Sequence, residues 1–411
     1  MPAFGRALRK DFPLEPGYVP VNQGSYGTFP RVVRQKAIEY QEQCEQHPDR
    51  FMRIEAPELL KQSRSQLAAL VGCPDPADIA FIENATMAAN TVLRSFPFAK
   101  GDKVLCNQRM HVHPLRQFST GYVNVNKTLE FVSHYKDIEL VLVELHYPLS
   151  DQAVLDKAAE AIDQNPGIRM AVFDAISSQP GVLFPFEAMT RLVQKNGILA
   201  FIDGAHAVGQ IPLDLQAIDP DFFLSNCHKW LYVPRGNCFL YVAKRCQQYV
   251  HPLGINNHYK QADHPAFSFE KEFLDLGAVD YSSVLTIKDA LAYRASIGGE
   301  DAIQEYCHNL AVQGGALVAE FLGTSVLENE ERTLTASMVN VELPLTNAAP
   351  AEVIPYFTQT LIYEHHTMIP VFPIGGKIYA RLSAQIYTDL EDFKEAADAL
   401  KKTCQAFEAK N

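Results

Sequence analysis

Lys229 lies in "SNCHKWLYVPRG", residues 225–236, between His228 and Trp230 and just after an apolar run. A lysine ammonium is strongly hydrated, and burying it without a partner is costly. Within this window the plainer reading is a loop lysine whose stem rests on Trp230 while its charge stays in water. The reactive reading is an amine retained because it has a chemical partner.

Other polar residues favour the reactive reading, because they fall where short apolar runs end. In an open parallel sheet, ligands bind beyond the carboxyl ends of the strands. "FIENATMAAN" ends one run with Asn84-Ala85-Thr86 and opens a helix-like segment. A helix N-terminus with free N–H groups and a threonine hydroxyl suits a phosphate, although a plain Asn or Thr cap explains the same residues. "GILAFIDGAHAVGQ" ends another run with Asp203, followed three residues later by His206. Such a carboxylate can hold a ring nitrogen protonated, the simpler alternative being a turn-forming Asp before Gly204. "VFDAISSQPG" adds Asp174, Ser177 and Ser178. Together these groups suit a phosphorylated ring aldehyde. The lysine forms the Schiff base, the carboxylate keeps the pyridinium charged as an electron sink, and the helix N-terminus takes the phosphate.

The elements that must position these residues follow from periodicity. From about residue 78 to 245, "DIAFIENAT", "DKVLC", "LEFVS", "IRMAVFDAI", "GILAFIDGA", "DFFLSNC" and "NCFLYVA" read as strands. Between them lie helical stretches such as "MAANTVLRSF", "QAVLDKAAEAIDQ" and "FEAMTRLVQKNG". Unbroken apolar strands alternating with helices predict an α/β domain with a mostly parallel sheet. After about residue 285, one or two long helices precede the strands "SMVNVELP", "HTMIPVFPI" and "KIYARLSAQIY" and a closing helix, "DLEDFKEAADALKKTCQAF". That pattern predicts a smaller α+β unit.

Composition narrows the function classes. The chain has 411 residues, 47% hydrophobic and 20% charged, with a formal net charge of −12 and no basic block. That balance argues against a nucleic-acid or anionic-membrane surface. The start lacks a signal-peptide core, and no apolar run approaches the roughly 20 residues of a membrane span. The expectation is a cytosolic protein. Eight cysteines, at 44, 73, 106, 227, 238, 246, 307 and 404, form no C-x-x-C pair and read as reduced, mostly buried hydrophobes. "MHVH" at 110–113 and "EHH" at 364–366 lack the H-E-x-x-H context of a zinc site.

Along nearly its whole length the sequence resembles the fold-type-I pyridoxal-phosphate enzymes of the class V aminotransferase group. Within that group it is most similar to the isopenicillin N epimerase and hercynylcysteine sulfoxide lyase branch. The resemblance rests on "VNQGSYGTFPRVV", "ENATMAANTVLRSF", "FIDGAHAVGQIPLDL", "NCHKWLYVPRG" and "ARLSAQIYTDLEDF". It implies a mostly parallel, seven-stranded-type large domain over residues 21–285 that binds pyridoxal 5'-phosphate. A smaller α+β domain would follow over 286–411, with residues 1–20 lying near it. It implies that Lys229 is the Schiff-base lysine and the base that moves the α-proton, and that Asp203 pairs with the pyridine nitrogen. His206 and Ser178 would lie by the phenolic oxygen. Ala85, Thr86, Asn226 and His228 would hold the phosphate. His111, with His113 as a second candidate, would stack on the ring. Arg381 would take the substrate carboxylate, where a guanidinium can act bidentately, and Asn22, Gly24 and Ser25 would line the substrate side.

Some positions depart from the group's pattern. Ala175 stands where members often carry histidine, Gly277-Ala278 replaces a Gly-Thr pair that reaches a phosphate across the dimer, and "LGINNHYKQ" at 253–261 lacks an expected Thr-Ser stretch. The run from Thr358 to Arg381 has no cysteine, which argues against a persulfide-forming desulfurase. The first expectation is a Cβ–S lyase acting on an L-cysteine conjugate or its sulfoxide. A secondary-metabolism epimerase, a loline-type ring-forming enzyme, a transaminase and a silent binding protein stay open. The resemblance also implies a small amino-acid substrate and a homodimer, with neither nucleic acid nor membrane as partner.

Overall fold

The computed structural model describes residues 4–106, 121–274, 277–346 and 348–410. Two helices, α1 (Arg31–Gln46) and α2 (Ala56–Leu70), precede the first strand. The strands then run β1 (Ile79–Ile82), β2 (Lys103–Cys106), β3 (Glu139–Leu142), β4 (Ile168–Asp174), β5 (Leu199–Asp203), β6 (Phe222–Asn226) and β7 (Cys238–Val242). The crossing helices are α3 (Ala85–Ser95), α4 (Val123–Lys136), α5 (Asp151–Gln164) and α6 (Phe186–Lys195). In space the order is β1-β7-β6-β5-β4-β2-β3, and β7 runs antiparallel to both of its neighbours. This is an α/β fold with a mostly parallel seven-stranded sheet. Helices cover both faces, so alternate residues of a strand enter different cores. Ile202 and Phe223 pack on one side, Phe201 and Phe222 on the other.

One expected strand is a helix. "LEFVS", 129–133, lies inside α4, where Val125, Leu129 and Val132 are buried at helical spacing. A short apolar run cannot by itself separate a strand from one stripe of a helix. The strand comes later, as "ELVL" at the sheet edge, where one-sided burial gives it a weak apolar signal.

Beyond a short helix at Cys227–Trp230, α7, the chain forms α8 (Ile287–Ser296) and α9 (Gly299–Leu322). The predicted long helical stretch is thus two helices, divided at Gly298, whose φ is 133°. A three-stranded antiparallel sheet follows, ordered β8 (Met338–Glu342), β10 (Lys377–Ser383) and β9 (Val371–Ile374). It packs with α9, α10 (Pro350–Tyr363) and α11 (Leu390–Glu408) around a separate core that includes Val339, Phe357, Leu382 and Phe393. Leu8, Phe12, Val19 and Val21 join the same core. Arg6 and Arg9 reach Asp392, the wholly buried acid of the α11 capping box, at 2.9 and 2.6 Å. The N-terminal segment is therefore tied to α11 before it continues to residues 22–25. No helix among the described residues is long and apolar enough to cross a membrane.

Parallel pairing aligns the carboxyl ends of the central strands. Asp174 of β4 pairs in register with Asp203 of β5, and Asp203 with Leu224 of β6. Gly204, at the end of β5, lies so close to β6 that an added Cβ would sit 2.7 Å from Leu224 O and against the Phe223 ring. Gly204→Ala should cost about 1–3 kcal/mol by overpacking. The urea unfolding midpoint would fall with the slope unchanged; an unaltered midpoint would show that β5 and β6 separate freely.

Candidate active site

Lys229 is carried on α7, immediately beyond β6, and is only 9% exposed. Its Nζ lies 2.9 Å from His206 Nε2. Among the described residues no carboxylate is within ion-pair distance of this amine. Burial is the main reason its pKa is lowered to about 8, with Asp203 opposing and Arg381 adding to the shift. Burial likewise pushes the Asp203 carboxyl up, against the Ala205 N–H, 3.0 Å from Oδ1, and the charge of Lys229. His206 is driven well below its ordinary value by burial and by Lys229, so its ring is neutral.

The loop after β1 joins this centre from the far side of β7. Asn84 caps α3 by accepting from Met87 N at 3.0 Å, while Asn226 Oδ1, at the end of β6, accepts from Ala85 N at 2.9 Å. The plain capping role of Asn84 is therefore real. Thr86 is half-buried, and its hydroxyl accepts from Asn124 at 3.2 Å. His228 Nδ1 lies 3.1 Å from Asn237 O, which acts as its acceptor, and burial brings the ring down to about 4. The expected phosphate residues Ala85, Thr86, Asn226 and His228 thus cluster around the α3 N-terminus and α7.

Arg381, on β10, is 2% exposed and projects toward the ends of the large sheet's strands. Its Nη1 donates to Ser178 O at 2.5 Å, and its Nη2 to Asn22 Oδ1 at 3.1 Å and Ser25 Oγ at 3.2 Å. Among the described residues its Nε has no partner, and no carboxylate pairs with the guanidinium. Burial lowers its pKa to about 10. A buried guanidinium with only neutral partners and an idle N–H has the charge and the donor to bind an anion. Gly24 donates to Ser383 Oγ at 3.2 Å, and a Cβ there would lie 3.5 Å from Arg381 Nη2. Asn22, Gly24 and Ser25 therefore do stand at Arg381. Ser178 stands there too, its hydroxyl 3.5 Å from Nη1. Ser177 is buried and bonded to Pro180 O at 2.6 Å. His111 and His113 lie outside the described residues.

Several contributors escaped the sequence reading. Gln23, between two residues that were singled out, donates to Lys229 O at 2.6 Å and accepts from Tyr387. Arg294, wholly buried on α8, donates to Trp230 O at 2.9 Å and Gly209 O at 3.0 Å while paired with Glu300. Trp230 donates to His206 Nδ1 at 3.4 Å. Trp230 had a local signal in its adjacency to Lys229, and Gln23 in its place between Asn22 and Gly24. All the cysteines but Cys44 are buried; burial pushes the Cys307 and Cys404 thiols up to about 12. No described cluster of three metal-ligating side chains exists.

This arrangement is reached along a chain that matches the model of the aminotransferase class-V family over residues 22–393, and the chain belongs to that family. Among curated relatives, it is 30% identical to the hercynylcysteine sulfoxide lyase of Schizosaccharomyces pombe, over 98% of both chains. It is 32% identical to the L-cysteine desulfhydrase-like protein lolT1 of Epichloe uncinata, over 98% of this chain and 96% of that one. Among solved structures, the cysteine desulfurase of Thermococcus onnurineus matches with a TM-score of 0.78 at 17% identity, over 99% of each chain.

The lowered pKa of Lys229 makes it a free amine at a pH where surface lysines are still charged. An aromatic aldehyde trapped with borohydride should label Lys229 at a rate that rises about tenfold per pH unit up to about 8 and then levels. Mass spectrometry locates the label, and a rate still climbing toward pH 10.5 would show an ordinary lysine.

Proposed function

We propose that this pyridoxal-phosphate-dependent lyase cleaves the Cβ–S bond of an L-cysteine conjugate or its sulfoxide. The residues present fit the cofactor: Lys229 is a buried amine without a carboxylate partner, and Asp203 a buried carboxylate with one hydrogen bond among the described residues. Lys229 would hold its aldehyde carbon, Asp203 its ring nitrogen, and Ala85, Thr86, Asn226 and His228 its phosphate. When bound, the cofactor draws electrons from the substrate's α-carbon and so acidifies the α-proton.

The protein's own groups do the rest. Arg381 takes the α-carboxylate, for which its unpartnered Nε and its position between Asn22, Ser25 and Ser178 prepare it. Once released, the Lys229 amine is largely deprotonated above about pH 8 and removes the α-proton. The electron pair left at the α-carbon forms the Cα–Cβ double bond as the Cβ–S bond breaks. The sulfur leaves with the bonding pair, as a thiolate or, from a sulfoxide, a sulfenate. The released enamine takes up water to give pyruvate and ammonia.

The observation that carries this reading is the buried, anion-free Arg381 facing the buried Lys229 amine. The sulfur leaving group is favoured by the relatives' printed activities, hercynylcysteine sulfoxide lyase and L-cysteine desulfhydrase-like protein. A persulfide relay is disfavoured, because the run from Thr358 to Arg381 lacks cysteine and the thiols at 307 and 404 are buried and protonated. The proposal includes a homodimer, for which sedimentation should read two chains per particle.

Proton NMR in heavy water with L-cysteine, its thioethers and sulfoxides, and plain amino acids tests the reaction. Pyruvate is expected from the sulfur substrates. Loss of the α-proton signal without pyruvate would overturn the lyase reading in favour of epimerisation or ring formation. Lys229→Ala should abolish turnover. Arg381→Ala should raise KM about 10- to 150-fold, equivalent to losing charge-assisted hydrogen bonds of about 1.5–3 kcal/mol; a KM unchanged in that variant would remove Arg381 from the carboxylate site.

A further inference from the structure

His206 touches two nitrogens, and only one proton arrangement satisfies both. On one side lies the Trp230 indole, whose Nε1 is 3.4 Å from His206 Nδ1. An indole N–H donates and never accepts, so Nδ1 must offer its lone pair. The neutral ring then carries its proton on Nε2, and Nε2 is the atom 2.9 Å from Lys229 Nζ. Two N–H groups cannot bond to each other. The contact is a hydrogen bond only when Nζ supplies the lone pair, as a neutral amine does and an ammonium does not.

We infer that Trp230 is a positioning residue: its indole N–H sets the Nε2–H tautomer of His206, and that tautomer holds Lys229 as the free amine. Trp230 is fixed for this task. It is 1% exposed, packed with Ile176, Ala336 and Met338, and its carbonyl is held by Arg294. Arg294 is locked by Glu300 at 2.5 Å and lies over the Tyr232 ring. Gln23 holds the neighbouring Lys229 carbonyl from the N-terminal segment.

The charged groups around the amine do not make the tautomer redundant. Asp203 on β5 and Asp174 on β4 favour the ammonium, as does Cys238 on β7 to the extent that it ionises, and burial keeps that thiol protonated. Arg381 on β10 and burial oppose the ammonium, and His228 on α7, interacting with Lys229, is itself neutral by burial. Two carboxylates thus pull Lys229 toward the charged form, yet the group in hydrogen-bond contact presents an N–H. Without the indole, the His206 proton is free to sit on Nδ1. Nε2 then accepts from an ammonium, and the amine is drawn toward its charged, unreactive form.

This inference rests on Lys229 being the amine that captures the cofactor, and the experiment separates the two. The full-length chain, labelled with ¹⁵N-histidine and studied with its cofactor and after removal of it, should show His206 bare at Nδ1 and protonated at Nε2; His206→Gln identifies the signals. A proton on Nδ1 would overturn the inference in the wild-type chain, whether or not any variant folds. Trp230→Phe should move the pH midpoint for covalent capture of pyridoxal phosphate up by about one unit, slowing capture at pH 7 about tenfold. A midpoint unmoved in a folded variant would also overturn it. Capture persisting in Lys229→Ala would instead defeat the assignment of Lys229.

Discussion

Two basic groups buried with no carboxylate partner among the described residues govern this structure. Lys229 and Arg381 are each nearly inaccessible, and burial depresses the pKa of both. Taking a charge out of water is repaid only by an opposing charge or by a full set of hydrogen bonds. The fold supplies neither completely. Arg381 meets a carbonyl, an amide oxygen and a hydroxyl, and keeps one N–H idle; Lys229 meets a neutral imidazole. In the proposed reaction an electrophilic carbon would meet the amine and a carboxylate the guanidinium. Binding energy held back in this way is available when those partners arrive.

The remaining architecture keeps the two basic groups at one place. Parallel pairing of β4, β5 and β6 brings Asp174, Asp203 and Asn226 to a common edge. The second sheet delivers Arg381 from β10 to the same edge. The N-terminal segment stitches the two together: anchored to Asp392 through Arg6 and Arg9, it holds Arg381 through Asn22 and Ser25 and the Lys229 backbone through Gln23. A change in the spacing of the sheets would therefore be felt at both groups at once. The same fold serves cysteine desulfurases, but a fold is not a reaction. Here every cysteine but Cys44 is buried, which in the proposed reaction leaves the work to the amine, the acid and the cofactor.

Much of this was legible in the chain. The central strands are unbroken apolar runs because both faces are covered, and each ends in a polar residue that marks the edge of the sheet. Lys229, Asp203, His206, Asn226 and Arg381 were found that way or through motif resemblance, and the structure gathers them. Failures occurred where burial is one-sided or partners are distant. "LEFVS" was misread because a stripe of α4 imitates a strand, and β3 was passed over because edge exposure breaks its apolar run. The contact of Ser178 with Arg381 was not foreseen, since a loop's direction is not encoded in its composition.

What the sequence by itself determined was the set of reactive groups and the strand ends that carry them, because apolar periodicity and local turn chemistry act over a few residues. Only the tertiary structure decided their states. Arg294 and Trp230 are 64 residues apart, Gln23 and Lys229 206, and Asn22 and Arg381 359. Protonation, tautomer and the idle Nε of Arg381 depend on which of these distant atoms meet in a space without water. No local pattern records that, because desolvation belongs to the packed whole rather than to any segment.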